Sequence, residues 1–202
     1  MSDLEFKITY LLGNGKYSYP SYEYLNYITP IEVFDIVLSN ANIHFNLKSK
    51  IIWDMFAGIG TDSIRLASVA GLVYSTELNT DTFNCLISNI SYAKSTSLNT
   101  FLNIETYNID CCQFTKSNSD VIYFDPPWGE TFKSGMHFSF DNVKLSNGKC
   151  VLDLVKELYK SYDLIIKVPY LCDNFETIIN EEDIISILTF SREKLKYLFV
   201  KK

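Results

Sequence analysis

The sequence predicts an α/β fold, in which a mostly parallel sheet is flanked by helices and ends in a C-terminal antiparallel hairpin. Short apolar, β-rich runs alternate along the chain with helical segments, which is typical of parallel βα units. The first run, 51–55, leads through a glycine turn into a helix, as at the ligand-binding end of nucleotide-type α/β units. The last two runs, 183–190 and 196–200, flank a short turn and therefore indicate the hairpin.

Composition limits the classes of protein that fit. The chain of 202 residues is long enough for one domain with a sizeable core. Its five cysteines include no Cys-x-x-Cys pair, which predicts reduced thiols in a cytoplasm-like compartment and no zinc site. A net charge of −6 argues against broad, non-specific binding to a nucleic-acid backbone, but it is compatible with a small or end-located substrate that a few local Lys or Arg hold. No run is long enough to span a membrane, and the acidic N-terminus is unlike a signal peptide, so no membrane partner is expected.

Residues 1–29 are predicted to form an aromatic N-terminal flap, and residues 30–202 the main domain. The flap is rich in tyrosine, which excludes low-complexity disorder. Two interpretations stay open: a helical or irregular segment packed on the domain, or a lid whose tyrosines line a base pocket. Thr29 as N-cap and Pro30 in the first turn predict a helix that ends near Asn40.

The glycine turn after the first strand follows the pattern Asp54-x-Phe56-x-Gly58-x-Gly60. Glycines let a backbone approach a ligand closely. A helix over 62–70 follows. A pyrophosphate would use the helix N-terminus, whereas an acid on the strand itself suits a cationic or amino-bearing ligand.

Two further acids follow strand ends. The second strand, 72–76, ends in Glu77, which lies about 20 residues after Gly58, the spacing of a ribose-binding acid. A helix over 80–94 and a third strand near 101–106 are predicted next. Asp110 then lies where an adenine-contacting acid is expected.

The pentapeptide Asp125-Pro126-Pro127-Trp128-Gly129 follows the apolar strand 121–124. The two prolines remove N–H donors, so carbonyl oxygens can face a ligand's amine. An acid, these carbonyls and a flat ring suit the exocyclic amine of a planar base, which is favoured over a plain strand-ending turn. A helix over 150–159, a fifth strand over 163–168 and a helix over 172–179 are predicted before the hairpin.

These motifs, in this order, resemble those of class I S-adenosylmethionine-dependent methyltransferases, and more closely the RNA cap guanine-N2 methyltransferases, the trimethylguanosine synthases. The resemblance covers roughly residues 27–202, including Thr29-Pro30 and the Trp-Gly after the double proline. It implies a Rossmann-like, mostly parallel seven-stranded sheet with a C-terminal antiparallel hairpin. The chain's Asn, Ile and Lys bias resembles that of a viral member, from a large DNA virus.

The resemblance also implies a set of site residues and no metal. The implied cofactor-binding residues are Asp54, Phe56, Gly58, Gly60, Thr61, Glu77, Asp110, Cys111 and Asp125. The implied catalytic residues are Asp125, Pro126 and Trp128. The residues expected at the substrate are Trp128, Pro127, Gly129, Lys133, Lys16, Thr29 and Pro30, with Lys7 as a further candidate for the cap phosphates.

The implied reaction is methyl transfer from S-adenosylmethionine to N2 of a 7-methylguanosine RNA cap. Trp128 would stack on that cationic base, because Trp is the best ring for cation–π attraction. The expected partner is capped RNA or a cap nucleotide, and the protein is expected to be a monomer in the cytoplasm or nucleus, or in the host cytoplasm if viral. The alternatives are N-methylation of a ribosomal or transfer RNA base, or of adenine N6, and a non-catalytic scaffold. In the messenger-RNA adenine enzymes Asp-Pro-Pro-Trp precedes the cofactor loop, whereas here it follows.

Overall fold

The computed structural model describes residues 3–12, 15–96, 102–115, 118–128, 138–173 and 178–202. The chain divides into two compact units, Met1–Phe114 and Thr115–Lys202, called here the first and second unit. The predicted boundary between a flap and a main domain at residue 30 stays a prediction. Within the described ranges, no helix is both long and apolar enough to cross a membrane.

The first unit contains three parallel strands in the order β3-β2-β1. Their bounds are Ile51–Asp54 for β1, Leu72–Glu77 for β2 and Ile104–Asn108 for β3. Because β1 and β2 run parallel, their terminal acids Asp54 and Glu77 lie at the same edge of the sheet, where ligands bind in this fold class.

Four α-helices are described in the first unit: α1 (Asp3–Leu12), α2 (Ile31–Phe45), α3 (Thr61–Ala67) and α4 (Thr80–Ser95). The prediction that α2 ends near Asn40 is wrong. The apolar spacing of α2 continues through Ala41 and Phe45, which are both buried, so packing carries the helix further. Asn46 caps the C-terminus of α2: its φ of 52° is left-handed, and its N–H donates to the Asn42 carbonyl.

The predicted N-cap of α2 is also wrong. Pro30 occupies the N-cap position, and no side chain caps the helix. The Thr29 hydroxyl instead donates to Asp62 Oδ2 at 3.1 Å, and both residues are buried. A buried carboxylate needs a hydrogen-bond donor, and Asp62 therefore draws Thr29 to the first turn of α3.

The N-terminal residues pack as part of the first unit. Leu11, Leu12, Leu25 and Ile28 form a buried cluster with Ile59 of the glycine turn. Residues Tyr22–Tyr27 form a short 3-10 helix in this segment. These contacts are those of a packed segment, and the lid interpretation stays a prediction.

The second unit contains six strands: β4 (Val121–Phe124), β5 (Phe138–Ser139), β6 (Asp163–Pro169), β7 (Cys172–Asp173), β8 (Ile184–Phe190) and β9 (Leu195–Val200). Strand β4 pairs parallel with β6, and β9 pairs antiparallel with both β6 and β8. Strands β8 and β9 are the predicted hairpin. One helix, α5 (Val151–Leu158), is described in this unit.

The predicted helix over 172–179 is wrong where the structure describes it. Cys172 and Asp173 form β7, which pairs with β5, and Ile178–Ile179 lie in a turn. Residues 174–177 lie outside the described residues. The pairing of Cys172 with Phe138 holds Cys172 and Asp173 in an extended conformation. The residues near Cys172 in the sequence do not predict this pairing, because its partner strand is distant in the chain.

Among the described residues, β1 to β4, β6, β8 and β9 are the seven strands of a mixed sheet. Within each unit the paired strands run parallel, except that β9 is antiparallel to both β6 and β8. The predicted α/β fold class, with its mostly parallel sheet and C-terminal antiparallel hairpin, is therefore confirmed.

Candidate active site

The glycine turn after β1 adopts a conformation that only glycine takes easily. Gly58 has a φ of +55° and Gly60 a φ of +85°, both in the left-handed region. A Cβ on Gly58 would lie 2.4 Å from the Tyr24 hydroxyl oxygen, and a Cβ on Gly60 would lie 2.2 Å from Leu86 Cδ1. The turn is therefore packed against a tyrosine of the N-terminal segment and a fully buried leucine of α4.

Replacing Gly60 with alanine is expected to destabilise the protein through both strain and overpacking. Gly148 is a matched control, because its φ is +78° but nothing lies within 4 Å of its Cβ position. Gly148→Ala should cost roughly 1–2 kcal/mol for the left-handed backbone. Gly60→Ala should cost roughly 1–3 kcal/mol more, because Leu86 is buried and cannot move aside. Urea unfolding of both variants measures the difference, and equal losses would contradict the packing argument.

Glu77 closes the glycine turn onto the end of β2. Its Oε2 accepts the Gly58 N–H at 2.9 Å, and its Oε1 accepts the Asn79 N–H at 2.8 Å. Burial raises the pKa of Glu77, and the backbone N–H groups of Asn79, Gly58 and Leu78 oppose that rise. Each carboxylate oxygen has two lone pairs. Glu77 can therefore accept further hydrogen bonds from ribose hydroxyls while it holds the turn, which fits the predicted cofactor.

Removing Glu77 is expected to weaken S-adenosylmethionine binding. Glu77→Ala should cost roughly 1.5–3 kcal/mol, the scale of hydrogen bonds to a charged group. Wild-type affinity should also fall as the pH drops through the raised pKa of Glu77, which lies above its ordinary 4.5, because the protonated acid loses acceptor capacity. Glu77→Gln should remove that pH dependence.

Calorimetric titration between pH 8 and the acid range measures both effects of the Glu77 variants. The exposed acid Glu32, in the first turn of α2, supplies the control variant Glu32→Gln. Unchanged affinity in Glu77→Ala would remove Glu77 from the cofactor site.

Asp54 is almost fully buried, with 1% of its surface exposed. Its Oδ2 accepts a hydrogen bond from the Ser63 hydroxyl of α3, and Ser63 in turn accepts one from Ser75 of β2 at 2.9 Å. This chain of hydrogen bonds ties β1, α3 and β2 together beside the glycine turn. A direct contact of Asp54 with the cofactor stays a prediction.

Asp110 caps the 3-10 turn Cys111–Gln113, because its Oδ1 accepts the Cys112 N–H at 2.9 Å. The ligand atoms of Asp110, Cys111 and Cys112 lie within 4.8 Å of one another. Burial, more than the neighbouring groups, raises the pKa of the Cys111 thiol. The adenine contact of Asp110 and Cys111 stays a prediction.

The remaining predicted residues have different surroundings. Phe56 and Thr61 are half-buried, Thr29 and Pro30 are buried, and Lys16 is exposed. Lys7 donates to Asn26 Oδ1 at 2.7 Å and lies 5.1 Å from the Tyr22 ring centroid. Gly129 and Lys133 lie outside the described residues. The predicted roles of Phe56 and Thr61 at the cofactor, and of the other residues at the substrate, stay predictions.

The second unit brings Asp125 and Trp128 together around a lysine that the sequence analysis missed. Phe124 of β4 pairs with Ile166 of β6, so Asp125 and Lys167 follow side by side. Lys167 Nζ donates to Asp125 Oδ2 at 2.6 Å and lies 5.4 Å from the centroid of the Trp128 ring. The Lys167 side chain is 3% exposed and that of Asp125 20%. A lysine within an otherwise apolar, buried strand was the available signal, since lysine is rarely buried unless paired.

Pro126 is buried and Pro127 is exposed, while Trp128 is half-buried. The pentapeptide thus offers a partly exposed acid and an aromatic ring directly after a strand, as its sequence predicts.

The glycine turn closed by Glu77 in the first unit and the Asp-Pro-Pro-Trp segment after β4 in the second unit are motifs of a class I S-adenosylmethionine-dependent methyltransferase. The sequence model of the RNA cap guanine-N2 methyltransferase family matches residues 49–200. The chain belongs to this family, as its motifs predict.

One curated relative is the uncharacterized protein L320 of Acanthamoeba polyphaga mimivirus, which is 28% identical over 164 residues. The match covers 77% of this chain and 60% of the viral protein, so the chain spans less than two thirds of that relative's length.

Two solved structures share the fold. An RNA methyltransferase from Salinibacter ruber, in complex with S-adenosyl-L-homocysteine, has a TM-score of 0.56 and 13% identity, over 86% of this chain and 94% of that one. The 16S rRNA N2 G1207 methyltransferase of T. thermophilus, in complex with AdoMet and guanosine, has a TM-score of 0.58 and 15% identity, over 84% of this chain and 42% of that one. At such identities the likeness shows the fold. The ligands of both structures agree with S-adenosylmethionine as the predicted cofactor.

Proposed function

We propose that the protein transfers a methyl group from S-adenosylmethionine to the exocyclic N2 of a 7-methylguanosine RNA cap. Membership of the cap guanine-N2 family supports this substrate. The observation that carries the proposal is the arrangement after β4, where the Asp125 carboxylate and the Trp128 ring lie around one lysine. The partner of the reaction is then capped RNA or a cap nucleotide.

The first unit supplies the residues for the cofactor. When bound, S-adenosylmethionine supplies an electrophilic sulfonium methyl group. The left-handed Gly58 and Gly60 give the turn a backbone path that other residues adopt only with strain, and this path brings the Gly58 N–H to Glu77 Oε2. Glu77 accepts hydrogen bonds from the ribose hydroxyls with its remaining lone pairs.

The second unit supplies the residues for the amine. The guanine amine is a poor nucleophile, because its lone pair is delocalised into the ring. Asp125 accepts one N–H of this amine and the Pro126 carbonyl accepts the other, which turns the lone pair toward the methyl group. Both acceptors stabilise the positive charge that develops on nitrogen during transfer. The nitrogen would gain the methyl carbon as the bond from that carbon to sulfur breaks and S-adenosylhomocysteine leaves, and the amine would then lose one proton, which Asp125 can accept.

Trp128 supplies the preference for the cap. A 7-methylated guanine is cationic, and attraction to the face of a desolvated Trp ring is worth about 2 kcal/mol or more. A net charge of −6 is also compatible with a cationic base.

The second candidate is N2 methylation of guanine in ribosomal RNA. The T. thermophilus enzyme, which shares the fold, is described as acting on N2 of a ribosomal guanine. The guanine base of that substrate is neutral, so the alternative requires no preference for a 7-methylated, cationic base. Adenine N6 as the target and a non-catalytic scaffold are the remaining alternatives.

A competition experiment separates these candidates. Equal amounts of 7-methylated cap dinucleotide, unmethylated cap dinucleotide, guanine-bearing ribosomal RNA and adenine-bearing RNA are offered with S-adenosylmethionine, and products are identified by mass spectrometry. We expect methylation chiefly on N2 of the 7-methylated cap. Labelling chiefly on ribosomal guanine or on adenine would overturn the cap proposal, and no labelling at all would favour the scaffold.

A further inference from the structure

Lys167 is the one lysine classed as buried among the described residues. It lies on β6 between apolar neighbours, and Tyr197 of β9 pairs with it across the ladder. Burying an ammonium group costs several kcal/mol unless it is paired and hydrogen-bonded. A buried lysine beside candidate catalytic residues therefore calls for an explanation beyond packing.

Lys167 contacts two residues that are proposed to hold the substrate. Its Nζ donates to Asp125 Oδ2 at 2.6 Å, which fixes the orientation of that carboxylate. The same Nζ lies 5.4 Å from the Trp128 ring centroid, which places a cation over one face of the indole. Because the side chain is only 3% exposed, Lys167 is poorly placed to reach an RNA phosphate.

We propose that Lys167 is a positioning and specificity-determining residue, which orients Asp125 and Trp128 together and balances the charge of Asp125. This inference rests on the proposed function. With one face of Trp128 covered by the ammonium group, the base stacks on the opposite face. Because Lys167 and Asp125 together carry no net charge, the preference for a cationic base depends on the Trp128 ring and not on an uncompensated carboxylate.

Three variants test the role of Lys167. Lys167→Met keeps much of the length of the side chain and removes its positive charge, whereas Lys167→Arg keeps both the charge and hydrogen-bond donors. Lys196→Met is the matched control, because Lys196 Nζ lies 5.2 Å from the Tyr170 ring centroid in the same unit but is not paired with a proposed catalytic residue. Each variant is assayed for kcat and KM with 7-methylated and unmethylated cap dinucleotides.

We expect Lys167→Met to lower kcat by about tenfold to hundredfold, the scale of a misplaced reacting group. The KM for the unmethylated cap, divided by that for the 7-methylated cap, should increase, because an uncompensated Asp125 attracts the cationic base more strongly. Lys167→Arg should restore most of kcat, and Lys196→Met should match wild type. If Lys167 has a purely structural role, the KM ratio in Lys167→Met stays unchanged. An unchanged ratio would overturn the inference.

A second measurement is independent of turnover. The protein has two tryptophans, so 5-fluorotryptophan labelling gives two ¹⁹F resonances, which Trp128→Phe assigns. In the absence of substrate, Lys167→Met should shift the Trp128 resonance and leave that of Trp53 in place. An unchanged Trp128 resonance would overturn the inference. Failure of the wild-type protein to methylate any offered base would overturn the proposed function alone, and a shifted resonance would still support the Lys167 contact.

Discussion

Replacing Asp125 with asparagine is expected to lower kcat by about 10²–10³-fold, the loss seen when one preorganised electrostatic group is removed from a catalytic site. Asparagine keeps the size of the side chain and an oxygen to which Lys167 can donate. It lacks the negative charge that stabilises the developing positive charge on the amine. The affinity for S-adenosylmethionine should change far less than kcat, because this charge acts on the base in the transition state.

Single-turnover assays read by mass spectrometry, together with calorimetric titration of the cofactor, separate the two effects in Asp125→Asn. Asp141→Asn, which changes an exposed acid of the second unit, is the control. Asp125→Asn also removes the negative charge that pairs with the buried Lys167, and an unpaired buried charge destabilises a protein by roughly 3–5 kcal/mol. The double variant Asp125→Asn, Lys167→Met removes both charges, so it should regain stability without regaining activity. Near wild-type kcat in Asp125→Asn would exclude Asp125 as the amine acceptor.

Replacing Trp128 with alanine is expected to abolish the preference for 7-methylated over unmethylated caps. A cation–π contribution of about 2 kcal/mol corresponds to roughly a 30-fold ratio in affinity, and alanine has no ring to supply it. Trp128→Phe should keep part of the preference, because phenylalanine attracts a cation more weakly than tryptophan. The ratio of kcat/KM for the two caps measures the effect directly.

Tyr170→Ala is the control for Trp128→Ala, because Tyr170 is another aromatic residue of the second unit with a lysine over its ring. It should leave the ratio for the two caps unchanged. If Trp128→Ala loses activity equally toward both caps, Trp128 only fixes the plane of the guanine base. The prediction that it recognises the 7-methylated base by cation–π attraction would then be wrong.

Elements whose ends depend on neighbouring residues were predicted well. Strand β4 has the predicted bounds Val121–Phe124, because the double proline after it cannot continue a ladder. Helix α4 was predicted over 80–94 and spans Thr80–Ser95, since the Asn79 side chain caps it by accepting the Thr82 N–H. Cys172 and Asp173 lie in a segment predicted as a helix and form β7 instead, because their partner strand β5 lies far away in the sequence.

The sequence by itself determined the fold class, the order of the motifs and the family, because turns, strand ends and glycine positions are encoded by neighbouring residues. Only the tertiary structure decided which polar groups pair. Thr29 donates to Asp62, Gly58 to Glu77 and Lys167 to Asp125, across 33, 19 and 42 positions of the chain. Such pairs depend on which strands and helices become neighbours, and a buried polar group takes the partner that folding brings within hydrogen-bond distance.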